Sequence, residues 1–159
     1  MRRSLPLALV LLAAPLAATA HAGPRVCDER TIVRAMKDAG KSLDGGIGQI
    51  RCGDVTSDGA RDAVFAVLSG GTAGPTHFGV LQGASDTAGD GGLILYRYGY
   101  KLSIDRVSDH RFDVQQPFYD KNDANCCPSA YRHRPYRWNG ERFKAGKVRR
   151  TKKPQQRFF

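Results

Sequence analysis

Between residues 49 and 148, glycine, proline, asparagine and aspartate cut the chain at regular intervals into short apolar or alternating runs. This punctuation limits the fold more than any other feature, because it leaves room for strands and turns but not for long helices. The runs fall at 49–52, 63–68, 77–82, 93–98, 101–107, 111–115, 131–138 and 142–148. Residues 63–68 (Ala-Val-Phe-Ala-Val-Leu) contain no polar side chain, the pattern of a central strand covered on both faces. Asn139-Gly140 between the last two runs predicts a hairpin. The glycine- and aspartate-rich segment 83–92 predicts a loop.

One helix precedes the strands. Asp28 is suited to the N-cap and Glu29 to the positive end of the dipole. Ile32, Met36 and Ala39 share a face, and Gly40 ends the helix. Together the elements predict an α+β domain, with the N-terminal helix packed on an antiparallel β-meander and the whole stapled by disulfides.

Residues 1–22 carry Arg2-Arg3, an apolar stretch and small-x-small sites ending at Ala22, the layout of a secretory leader. Cleavage there places a single domain at 23–150, with a disordered basic tail at 151–159. A secreted chain, extracellular or periplasmic, meets oxidising conditions in which cysteines pair. No second apolar stretch has the length of a membrane span.

Charge is segregated. Residues 23–129 hold 12 Lys/Arg against 14 Asp/Glu, whereas residues 130–159 hold 11 Lys/Arg against Glu141 alone. Arg142, Lys144, Lys147, Arg149, Arg150, Lys152 and Lys153 are therefore candidate anion-binding residues, directed at an anionic envelope polymer or an acidic protein. The alternative is a solvated, solubilising end. Arg97, Arg134 and Arg137 interleave with tyrosines and Trp138, but aromatics packing a core while arginines face water is the simpler reading. Specific nucleic-acid binding is not expected.

Cys27, Cys52, Cys126 and Cys127 allow three pairings. A bridge between sequence neighbours closes a strained ring, so separate bridges from Cys126 and Cys127 to Cys27 and Cys52 are favoured. Adjacent cysteines are badly spaced for tetrahedral zinc.

Asp54, Thr56, Asp58 and Asp62, with Gly59 between, put oxygen ligands at the spacing of a calcium loop. The same residues suit a turn in which the carboxylates accept backbone amides, and threonine at the middle position favours the turn. Calcium is the one cofactor these residues suggest. No nucleophile elbow, phosphate-binding glycine loop or metalloprotease motif is present.

The order of the acidic loop, Asn125-Cys126-Cys127-Pro128-Ser129 and Tyr136-Arg137-Trp138-Asn139-Gly140 resembles a group of small secreted bacterial proteins. It is more loosely similar to the LppP/LprE envelope lipoproteins. The resemblance implies an envelope or extracellular setting and carries no catalytic residue. The lipidated cysteine of the lipoproteins is not matched.

Three functions follow as expectations. The first is a secreted non-catalytic domain meeting an anionic envelope surface or partner. The second is a calcium-stabilised extracellular recognition domain. The third is an envelope-directed hydrolase, which needs a pocket joining a histidine to an acid such as Asp109 or Asp113.

Overall fold

The computed structural model describes residues 26–84 and 91–152, so the leader at 1–22 lies outside the described residues. One helix, α1 (Glu29–Asp38), precedes β1 (Ile47–Gly53), β2 (Asp62–Leu68), β3 (Pro75–Gln82) and β4 (Gly92–Tyr98). These strands form an antiparallel sheet in chain order. Then β5 (Ser103–Ser108), β6 (Arg111–Phe118), β7 (Ala130–Trp138), β8 (Phe143–Ala145) and β9 (Arg149–Thr151) form a second sheet, with β8 and β9 both paired to β7. Among the described residues no helix is long and apolar enough to cross a membrane.

The architecture is thus mostly β, two antiparallel sheets, and not the expected α+β domain. The meander does not stay in one sheet. After β4, Gly99 and Leu102 donate their amides to the carbonyls of Thr76 and Pro75, and the chain turns out of the first sheet. Lys101 adopts a positive φ of 47° in that turn. The main core is therefore formed between sheets. Val64, Ala66, Phe78 and Val80 of the first sheet meet Ile104, Phe112, Val114, Tyr136 and Phe143 of the second. Phe78 lies 5.2 Å from Tyr136, which stacks on Phe112 at 5.2 Å with a 9° interplanar angle.

The helix is a cover on the outer face of the first sheet. Ile32 and Met36 are fully buried there against Ala63, Phe65, Val67 and Leu81. Alternate residues of β2 thus enter two cores, which is why its sequence is apolar throughout. At the helix end Gly40 has φ 65° and donates to Lys37 O, while Lys41 donates to Met36 O. This paired closure requires a left-handed residue, so glycine stands there.

Gln49 joins the two sheets along one side. Its Nε2 donates to Ile104 O at 2.9 Å, and its Oε1 accepts the Ile104 amide at 2.8 Å. This side chain links the edge strands β1 and β5, and the opposite side of the sandwich, between β3–β4 and β6–β7, opens as a cleft.

Pro135 explains why the last edge is two strands. It has no N–H to donate, so the ladder along β7 is interrupted there. Gly146 approaches closely and donates to Pro135 O at 2.8 Å. A Cβ at Gly146 would come within 2.8 Å of Pro135 Cγ. The pairing resumes with Arg150 opposite Arg132 and Thr151 opposite Tyr131. Thr151 is therefore the last residue of β9 and not the start of a disordered tail, while residues 153–159 lie outside the described residues.

Candidate functional site

The acidic loop directs its oxygens inward. Asp54 accepts the amides of Asp58 and Gly59. Asp58 accepts the Ala60 amide at 2.8 Å and Gln82 Nε2 at 2.7 Å. Asp62, fully buried, accepts the Thr56 amide and hydroxyl, both at 2.9 Å, and the Gly83 amide at 3.0 Å. Burial raises the Asp62 pKa against these donors, whereas at Asp58 the donors outweigh burial and lower it. Thr56, at the proposed ligand position, donates its hydroxyl to the Asp62 carboxylate. Among the described residues no three His, Cys, Asp or Glu side chains converge as a metal site.

The cysteines pair as Cys27–Cys52 and Cys126–Cys127, correcting the expected cross-bridges. Cys52 lies on β1, and Cys27 precedes α1 beside the outer face of the first sheet. Cys126 and Cys127 lie in the β6–β7 loop of the other sheet. That loop is held by Asp123, which accepts the Ser129 hydroxyl and amide and the Asp120 amide, and these donors lower its pKa. Lys101 joins it through Asn125 and Tyr119.

Histidine and acid do meet, but away from solvent. On the outer face of the second sheet His133 Nδ1 lies 3.9 Å from Asp105 Oδ2, and neither atom has a hydrogen-bond partner among the described residues. His133 Nε2 meets Thr151 Oγ1 at 2.8 Å. Arg111 grips Asp113 through two 2.8 Å hydrogen bonds, and Arg149 approaches the same carboxylate at 3.8 Å. His133, Asp105 and Asp113 are at most 2% exposed, so substrate has no access to the cluster in this conformation. Burial lowers the His133 pKa, with Arg149 and Arg106 acting in the same direction against Asp105 and Asp113. A second pair, Ser57 and His110, is exposed, with both residues at positive φ, and lines neither described cleft.

The basic residues do not form one patch. Arg142 lies in the hairpin loop, where its amide donates to Asn139 Oδ1. Lys144 (β8) and Lys147, between β8 and β9, are exposed. Arg149 faces Asp113 on the outer side of the sheet, whereas Arg150 lies on the opposite face, paired with Arg132. Lys152 is exposed just beyond β9, and Lys153 lies outside the described residues.

Arg97, Arg134 and Arg137 are exposed, as expected from the sequence, and Arg134 together with Arg132 also lines the open cleft. Arg132 and Arg134 lie four and two residues before Tyr136, so a strand's twofold repeat puts all three on the inward face. Near the core the face carries Tyr136; at its open end it carries the arginines. With Gln116, Tyr98 and Val148 they line a cavity of about 160 Å³. Arg97, paired with Phe78 on the first sheet, and Arg134 both act electrostatically on the Tyr136 hydroxyl. Burial raises the Tyr136 pKa, and the two guanidiniums oppose that rise. Arg132 and Arg150 stack on Phe118, at 4.5 and 4.0 Å from its centroid. Among the described residues none of Arg97, Arg132, Arg134 and Arg150 forms a salt bridge.

A larger depression of about 1260 Å³ lies between α1 and the ends of β3 and β4. Its rim mixes Arg30, Arg34 and Arg61 with Asp28 and Asp38, so it favours neither sign of ligand. No family model matches the chain, and no curated protein or solved structure matches it.

Proposed function

We propose that the chain is a secreted, non-catalytic β-domain that engages an anionic polymer of the cell envelope through its C-terminal edge. One observation carries the reading: the edge beyond β7 is a run of exposed cations, Arg142, Lys144, Lys147, Arg150 and Lys152, that form no salt bridge among the described residues. Pairing to β7 fixes Lys144 on β8 and Arg150 on β9, with Arg142, Lys147 and Lys152 in the segments that flank them, so a long polymer can meet several of these separate charges together. The leader sequence supports an envelope or extracellular setting.

The test is retention of the full mature chain on immobilised long-chain polyphosphate as salt is raised. Binding through a row of cations weakens steeply with ionic strength. The triple variant Arg142→Gln, Lys144→Gln, Lys147→Gln should elute at clearly lower salt. Retention that ignores salt, or is unchanged in the variant, contradicts the reading. Retention by an acidic protein but not by polyphosphate contradicts the choice of a polymer.

A further inference from the structure

We propose that the open end of the inter-sheet cleft is a pocket for one phosphoryl group, clasped by Arg132 and Arg134. The inference rests on the reading that this protein meets anionic envelope material, but it uses different residues, so each can fail alone.

Three observations support the pocket. Two guanidiniums of β7, Arg132 and Arg134, line it. Like charges gathered in this way repel, and no described acid pairs with them. An anion between them removes the repulsion and gains fork-shaped hydrogen bonds. The cavity of about 160 Å³ has room for one compact group and not for a stretch of polymer. Its other walls supply Gln116, an amide that can donate, and the Tyr136 hydroxyl.

The converging charge favours phosphate over carboxylate. A phosphomonoester carries up to two charges and three acceptor oxygens, enough for several guanidiniums, whereas a carboxylate has two oxygens and one charge. Phe118, beneath Arg132 and Arg150, holds one arginine of the clasp in position.

The experiment titrates the full mature chain with glucose 1-phosphate, inorganic phosphate, glucose and glucuronate, following the arginine side-chain Nε–Hε signals by NMR. Glucose 1-phosphate should saturate and shift the Arg132 and Arg134 signals, and glucose alone should not. Arg134→Gln and Arg132→Gln, both at exposed positions, should each weaken binding by about tenfold or more. The Arg142, Lys144, Lys147 variant should bind glucose 1-phosphate like the wild type. Absence of saturation, or equal binding in Arg134→Gln, overturns the pocket even if polyphosphate retention persists. Glucuronate binding as tightly as glucose 1-phosphate overturns the choice of phosphate. A polyphosphate chain that shifts the Arg132 and Arg134 signals more tightly than glucose 1-phosphate identifies a polymer end as the source of the group, and the reverse order identifies a free sugar phosphate.

Discussion

Arg132 on β7 and Arg150 on β9 stand opposite each other in the strand register and lie over one ring, that of Phe118. Two cations directly across a strand pair repel, and the shared aromatic face offsets part of this. The arrangement costs the isolated protein stability and benefits a protein with an anion at this face. Arg150→Gln should raise the melting temperature slightly at low salt and reduce the rise produced by added phosphate. Thermal melts with and without phosphate check both effects. A ligand at a hundredfold excess over Kd stabilises by about 2.7 kcal/mol, so a real site gives a readable shift. Loss of stability on Arg150→Gln together with an undiminished phosphate effect would refute this account of the pair.

Gln49 is the joint between the sheets. Its amide satisfies both the N–H and the C=O of Ile104, a residue in the other sheet. Gln49→Leu keeps the bulk and leaves two backbone groups without that partner, each costing about 1–3 kcal/mol where water cannot reach. Chemical denaturation should show a loss of about 2 kcal/mol or more. A near-neutral variant would mean that water replaces the side chain at this seam.

His133 makes stability depend on pH. Burial, reinforced by Arg149 and Arg106, holds its pKa below the ordinary value, so the folded protein keeps the ring neutral while the unfolded chain takes up a proton more readily. The stabilisation is complete above the unfolded pKa of about 6.5 and is lost as pH falls from there through the lowered folded value. His133→Gln retains a partner for Thr151 and should flatten the slope below about pH 6.5. Denaturation midpoints measured across that range check it, and an unchanged slope in the variant assigns the dependence to other groups.

The two disulfides should differ in thermodynamic weight. Cys27–Cys52 spans 25 residues and ties the start of α1 to β1, so its loss should cost about 3 kcal/mol by the loop-entropy account. Cys126–Cys127 joins neighbours and closes no chain loop, so replacing both with serine should cost far less. Peptide mapping under non-reducing conditions checks the connectivity itself. Peptides linking Cys126 or Cys127 to Cys27 or Cys52 would contradict the pairing described above.

Much of the local structure is legible in the sequence because it depends on short-range chemistry. The apolar run at 63–68, the Gly40 stop and the Asn139-Gly140 turn each have a local cause, and each coincides with an observed element boundary or strand. The architecture depends on which strands share a sheet, and alternation does not report that. A ten-residue helix read at the start of the chain suggested a helix layer, yet the larger core joins two sheets. The cysteine pairing was hidden for the same reason, since proximity is set by sheet membership. The arginine cleft was accessible in principle. Arg132, Arg134, Tyr136 and Trp138 share one face by their spacing alone, but where along that face the core ends depends on the neighbouring sheet. The acidic loop satisfies two chemistries at one spacing, and the direction of each carboxylate is what the structure adds.

The most direct measurement of the central claim is the salt dependence of polyphosphate binding by the full mature chain, wild type beside the Arg142→Gln, Lys144→Gln, Lys147→Gln variant. The account predicts binding at low salt that falls steeply as salt rises, with a shallower dependence and weaker binding in the variant. Equal affinities and equal slopes for the two proteins, or no binding even at low salt, would contradict it.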